Sequence, residues 1–238
     1  FTSSFLLTHY YHMEKIIEFW TGFGLDIKDV NYVFHIFPKM RGEEAPGVSS
    51  KVKSNAFFIQ STPHAKERSF GICNIGSIED LPMAMNLTIW AHEFGHNIFD
   101  KYFASRSFKA YETSSPYSKY RLSGINEGVA DYLASVLTSS NLNELTDTNF
   151  LLFKDRILPV SFTSEELNEK QSFYRWGSVL ASCLYEIEQE ITEQKRDGKK
   201  AVVTNLLESL KDLQEDWQRL KETEEFHYHL IAKHMICH

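Results

Sequence analysis

The sequence predicts an α+β fold in two lobes, and three observations predict it. Before residue 80, short runs rich in β-branched and aromatic residues alternate with helical periodicity. Beyond that point the patterning is nearly all helical. One continuous helical pattern, Pro82 to Phe103, joins the two parts. The expected division is a mixed α and β lobe over 1–103 and a mainly helical lobe over 104–238, together forming one unit. A chain of 238 residues is long enough for either one large domain or two lobes with a sizeable core.

The elements follow in order. Tyr10 to Phe19 carries a helical pattern through Tyr11, Ile16, Ile17, Phe19 and Trp20, and the Gly22/Gly24 pair marks its end. Val33–Phe37 and Ala56–Gln60 read as strands, and the polar stretch Arg41–Asn55, with Gly42, Pro46 and Gly47, reads as a loop. Asp80 is the expected cap of a helix starting at Pro82 and running through Leu87, Trp90, Ala91, Phe94 and Ile98 to about Phe103. A Ser/Tyr-rich connection, Ser105–Ser123, shows no clear period. A further helix is expected from near Ile125 to about Leu137. From Ser164 the pattern is mostly helical, with Ser164-Glu165-Glu166 as a start signal and Asp197-Gly198 as a break. Glu208–Glu225 reads as an amphipathic helix with a solvated, charged face.

Composition excludes several classes. The chain has 25 basic and 32 acidic side chains, a net charge of −7 that argues against a general nucleic-acid binder. No apolar run approaches the roughly 20 residues that a membrane-spanning helix needs. Three cysteines, Cys73, Cys183 and Cys237, are too few and scattered for a disulfide framework, and Cys73 and Cys183 read as buried small hydrophobes. They fit a reducing or an oxidising compartment. The chain opens on Phe1, which leaves room for a removed signal peptide or pro-segment; the expected location is secreted or periplasmic.

Ten histidines are the unusual count, and two of them stand in a pattern. His92-Glu93-Phe94-Gly95-His96 is an H-E-x-x-H sequence on the joining helix. Residues four apart share a helix face, so two imidazoles can reach one metal ion while Glu93 takes a proton from water at that ion. Two imidazoles with an oxygen donor suit zinc, Zn2+, with one position left open. A third protein donor must come from a separate element. Asn126-Glu127-Gly128-Val129-Ala130-Asp131 supplies Glu127 at the start of the next expected helix. Asp131 follows one turn later, placed to accept the free N–H of a liganding imidazole.

These stretches resemble the thermolysin-like gluzincin metallopeptidases, including the fungalysins. Tyr10-Tyr11-His12 with its amphipathic helix is similar to the opening of their catalytic domain. Asn55-Ala56-Phe57-Phe58 is similar to their substrate-gripping edge strand, and the zinc and glutamate helices follow in the right order over residues 10 to 137. The resemblance implies a zincin-like fold with an edge strand and an active-site helix. It implies His92, His96 and Glu127 as zinc ligands and Glu93 as general base and proton shuttle. It further implies that Asp131 orients His92, that Asn126 supports His96, and that Asn55 and the Ala56 backbone hold the substrate main chain. The partner implied is a peptide or protein substrate, and the activity a zinc-dependent endopeptidase.

The chain departs from that pattern in places. Thirty residues separate His96 from Glu127, and no aspartate cluster suggests calcium. Phe173-Tyr174-Arg175-Trp176-Gly177-Ser178 resembles the fungalysin segment that bears a histidine donor for the developing oxyanion, with Tyr174 in that place. Tyr174 is the candidate donor, a packed aromatic being the other reading, and Tyr120 is a second candidate. Two further readings stay open. One is a gluzincin-type aminopeptidase, although the Gly-x-Met-Glu-Asn strand is missing; the other is an inactive zinc-bound relative that serves as a binding module. The C-terminal His227, His229, His234 and His238 read as surface or packing histidines without an acidic partner at matching spacing. His9, His12, His35 and His64 show no ligand pattern.

Overall fold

The computed structural model describes residues 2–27, 32–36, 54–59, 68–74, 86–104, 114–138, 158–159, 173–194, 196–223 and 225–237. By internal contacts the chain forms two compact units, Phe1–Asn97 and Ile98–His238.

In the first unit, helix α1 (Thr2–Gly22) buries His9, His12, Met13, Ile16 and Trp20, a three-and-four spacing that lines one face. Its exposed side carries Leu7, Tyr10 and Tyr11. Gly24, at φ +87°, ends the helix in the left-handed conformation that L side chains avoid. The Gly24 N–H then reaches the Thr21 carbonyl and the Leu25 N–H the Trp20 carbonyl, satisfying two carbonyls of the last turn. Of the two glycines expected to end this helix, Gly24 does so.

Three short strands follow: β1 (Tyr32–Ile36), β2 (Ser54–Ile59) and β3 (Arg68–Asn74). They form one sheet in the order β1-β3-β2. β1 runs parallel to β3, with Tyr32 opposite Arg68, and β2 runs antiparallel to it, with Asn55 opposite Cys73 and Ala56 opposite Ile72.

Helix α2 (Leu87–Phe99) starts after Asn86, whose side-chain oxygen accepts the Thr88 N–H at 2.9 Å. This cap sets a later start than the Pro82 expected from the sequence, because an Asx oxygen at that place satisfies an otherwise orphaned amide. Asp80 and Pro82 themselves lie outside the described residues. Asp100–Ala104 continues the chain as a wider π-helical turn. On α1, the His9 ring lies 4.0 Å from that of Trp90 on α2.

The second unit is built helix on helix. Helix α3 (Pro116–Thr138) begins well before the expected Ile125. Ser115 caps it, accepting the Ser118 N–H at 3.1 Å, and Pro116 takes the first helical position, where its missing N–H costs nothing. Residues 116–123, read as connection, are therefore helix. Helix α4 (Phe173–Glu193) lies against α3 through small residues, Gly177, Ser178, Ala181 and Ser182. The expected start near Ser164 lies outside the described residues. Helix α5 (Gly198–Leu220) is capped by Asp197, which accepts the Lys200 N–H, so the expected break is a helix start. Its buried face carries Val202, Val203, Leu206, Leu210, Leu213 and Trp217, with charged residues opposite. Helix α6 (His229–Cys237) packs on α5. Aromatic contacts bind the unit together: Phe99 stacks on Phe103, Phe103 meets Trp217, and Trp217 meets Phe226 edge-on at 4.8 Å.

α3 and α4 meet at glycine on both sides. A Cβ on Gly177 would lie 2.9 Å from both Glu127 Cβ and the Gly128 nitrogen. One on Gly128 would lie 2.6 Å from the Gly177 carbonyl oxygen. Backbone stands on both sides, so neither helix can give without moving as a whole. Farther along, the buried Tyr132 hydroxyl donates to the buried Glu188 carboxylate at 3.0 Å. Burial pushes the Glu188 carboxyl up, and the Tyr132 bond and the Lys199 charge oppose part of that shift.

The expected α+β, zincin-like class is corrected. Among the residues whose side chains are described, 84% are helical and none lies in a strand. The strand runs near Val33–Phe37 and Ala56–Gln60 are strands in the backbone, so local β propensity was read correctly. Class, however, is set by the elements that bury the core. Apart from Leu158, every described core side chain comes from a helix or a residue close to one. Two other expectations change. Cys183 is exposed on α4, not buried. His234 does have acidic partners, Asp216 at 2.9 Å and Asp212 at 3.7 Å, because the two aspartates lie one turn apart on another helix.

Two predictions follow from packing. Gly177→Ala gains helix propensity of about 1 kcal/mol yet should lower stability by about 1–3 kcal/mol through overpacking, read as a drop in urea midpoint at unchanged slope. His9 is the second case: burial, then the charge of His12, lower its pKa from 6.5 to about 4. Between those values the unfolded chain binds more protons than the folded one. The stability is thus fully present above about pH 6.5 and is lost as pH falls towards 4. The effect reaches about 3 kcal/mol at most, and His9→Gln should flatten it between pH 7 and about 4.5 in parallel urea titrations. Parallel pH profiles for the two proteins would rule it out.

Candidate metal centre

α2 carries the first donors. His92 and Glu93 are buried, and His96 is half-buried one turn on. The two imidazoles lie on one helix face, as four-residue spacing requires, with ring centroids 4.7 Å apart at 83°. The third donor is the half-buried Glu127 on α3. One ligand atom from each of His92, His96 and Glu127 lies within 4.8 Å of the others. Among the described residues this is the one set of three or more His, Cys, Asp and Glu side chains so arranged, and it could hold a metal ion.

Glu127 is placed by the glycine contact of α3 and α4. Its Cβ lies where a Cβ on Gly177 would collide, so the small residue at 177 leaves room for the glutamate stem. Gly124 and Gly128 flank it on the same face. Asp131, 1% exposed, follows one turn later on α3. Asn126 is half-buried beside Glu127.

The remaining sequence candidates are placed as follows. Tyr174 stands in the first turn of α4, 42% exposed, with its ring 4.3 Å from that of Phe173. Tyr120 lies two turns before Glu127 on α3. Its hydroxyl is buried with no hydrogen-bond partner among the described residues, and burial pushes the phenol up. Asn55 and Ala56 are in the β2 backbone, and their side chains lie outside the described residues.

Motif reading overlooked one residue on this face. The Tyr228 hydroxyl sits against Gly124, where a Cβ would come within 2.5 Å of it. Its ring stacks on Trp176 at 4.9 Å and 14°. No motif links Tyr228 to Glu127. In the sequence Tyr228 stands between His227 and His229, which read as surface or packing histidines.

No protein-family model, curated protein or solved structure matches this chain. Among the described residues, no helix is long and apolar enough to cross a membrane.

Removing a metal ligand should weaken binding beyond the 10- to 100-fold that loss of a ligand's outer partner costs. Glu127→Gln is therefore expected to abolish stoichiometric uptake of divalent transition ions in calorimetric titration while preserving the helical circular dichroism. Unchanged affinity would remove Glu127 from the centre.

Proposed function

We propose that the chain is a zinc-dependent metallopeptidase in which His92, His96 and Glu127 hold the metal and Glu93 is the general base. The observation that carries the reading is the convergence of two imidazoles and one carboxylate from two separate helices. Donors about 2.0–2.1 Å from a tetrahedral zinc stand about 3.3 Å apart. A set within 4.8 Å reaches that spacing by small side-chain rotations. Three protein donors with an open fourth position are the make-up of a catalytic site, whereas structural sites are closed by four. When bound, zinc polarises a substrate carbonyl and lowers the pKa of water in the open position to roughly 7.

The protein's own groups do the rest. Glu93, buried beside His92, is held away from bulk water. Its carboxylate takes one proton from the attacking water as the new C–O bond forms. It then delivers that proton to the departing amine as the C–N bond breaks, so the carboxylate is regenerated. Asp131 is proposed to accept the N–H of His92 and fix its tautomer, with Asn126 supporting His96. Asn55 and the Ala56 backbone are the proposed contacts to the substrate main chain.

The decisive experiment is Glu93→Gln in the zinc-loaded protein with a proteome-derived peptide library. Hydrolysis should fall by about 10²–10⁴-fold with zinc stoichiometry unchanged. Activity surviving the change would overturn the mechanism. Release of single N-terminal residues in place of internal cuts would make the protein an aminopeptidase. Stoichiometric zinc with no cleavage by wild type would make it a binding module.

A further inference from the structure

We propose that the Tyr228 hydroxyl, together with that of Tyr120, donates hydrogen bonds to an oxygen of the bound peptide, making Tyr228 a further substrate-contacting residue. The assignment rests on the metallopeptidase reading above. Tyr120, Gly124 and Glu127 fall at i, i+4 and i+7 of α3 and so share one face. The Tyr228 hydroxyl lies on that face, against Gly124, which stands one turn before Glu127 on the helix.

Tyr228 is held there by two devices. Its ring stacks flat on Trp176, next to the Gly177 that packs on Glu127. The segment leading to it is fastened to the start of α3: the Ser118 hydroxyl donates to the Thr223 carbonyl at 2.9 Å, and the Arg121 guanidinium to the Phe226 carbonyl at 2.9 Å. Gly124 is then required, since any side chain there would occupy the place of the hydroxyl.

A hydroxyl so firmly placed is usually bonded. Yet both the Tyr228 and Tyr120 oxygens are buried with no hydrogen-bond partner among the described residues. Leaving two donors unmade costs the desolvation of each and is compensated only when an acceptor arrives. Burial, then the neighbouring Tyr120 phenol, push the Tyr228 phenol up against an opposing Arg121, so it stays protonated and a donor. Two neighbouring unpartnered O–H donors suit an acceptor oxygen with two lone pairs. On this face of α3, that is the substrate carbonyl oxygen and the tetrahedral oxyanion it becomes. Tyr174, by contrast, is exposed in the first turn of α4.

The test is Tyr228→Phe, which keeps the ring on Trp176 and removes only the hydroxyl. In the zinc-loaded protein kcat should fall about 10²-fold with little change in KM, the usual loss for one oxyanion donor. A phosphonamidate peptide, which mimics the tetrahedral oxyanion, should bind about 10–100-fold more weakly than to wild type by calorimetry. Zinc stoichiometry and urea midpoint should be unchanged or slightly raised, since an unsatisfied hydroxyl has gone. Wild-type values for both cleavage and analogue binding in the variant would overturn the Tyr228 assignment alone. A wild-type protein that neither cleaves peptides nor binds the analogue would overturn the peptidase reading and this assignment with it.

Discussion

The backbone contact between Gly128 on α3 and Gly177 on α4 is the constraint on which the second unit depends. Neither residue has room for a methyl group, and each is blocked by the other's main chain. Helices that meet so closely lock their rotation as well as their distance. That fixes which face of α3 is covered by α4 and leaves Glu127, beside the contact, with one direction for its stem. The serines of α4 adapt to the same tightness. Ser178 and Ser182 are buried, and their hydroxyls bond back to the carbonyls of Tyr174 and Ser178, so the small seam carries no unsatisfied polar atom from either.

A second layer of fixing comes from the end of α5 and the segment after it. The Ser115 N–H donates to the Lys221 carbonyl, and the Ser115 and Ser118 hydroxyls both donate to that of Thr223. Helix α6, just beyond, is clipped to α5 by His234. Its ring nitrogen meets Asp216, which also takes the Arg219 guanidinium. Burial pushes the Asp216 carboxyl up, but these hydrogen bonds together outweigh it and leave the group below the ordinary carboxylate range. Glycine contact, carbonyl stitching and ion-paired clip thus act on successive turns of one helix assembly.

The candidate metal donors were legible in the sequence because helical spacing is itself geometry: a separation of four positions between His92 and His96 dictates one face. Glu127 was legible for the same reason, standing one turn before a second acid on a patterned helix. The class was not legible. Runs such as Tyr32–Ile36 have strand chemistry, but a five-residue run does not say whether strands or helices will bury the core. Nor were helix starts visible where a single side-chain cap decides them, as Asn86 and Ser115 do. The acids facing His234 and the phenol facing Gly124 were hidden for a common reason. They meet across helices, and periodicity along one helix carries no record of its neighbour.

The shared Thr223 carbonyl has a consequence for the order in which the molecule is made. The cap of α3 and the chain after α5 complete each other, although Ser118 and Thr223 stand 105 positions apart in the sequence. During synthesis the Ser118 hydroxyl finds this acceptor only after the distant carbonyl has left the ribosome. The helix that carries Glu127 is therefore made first and fastened at its start later.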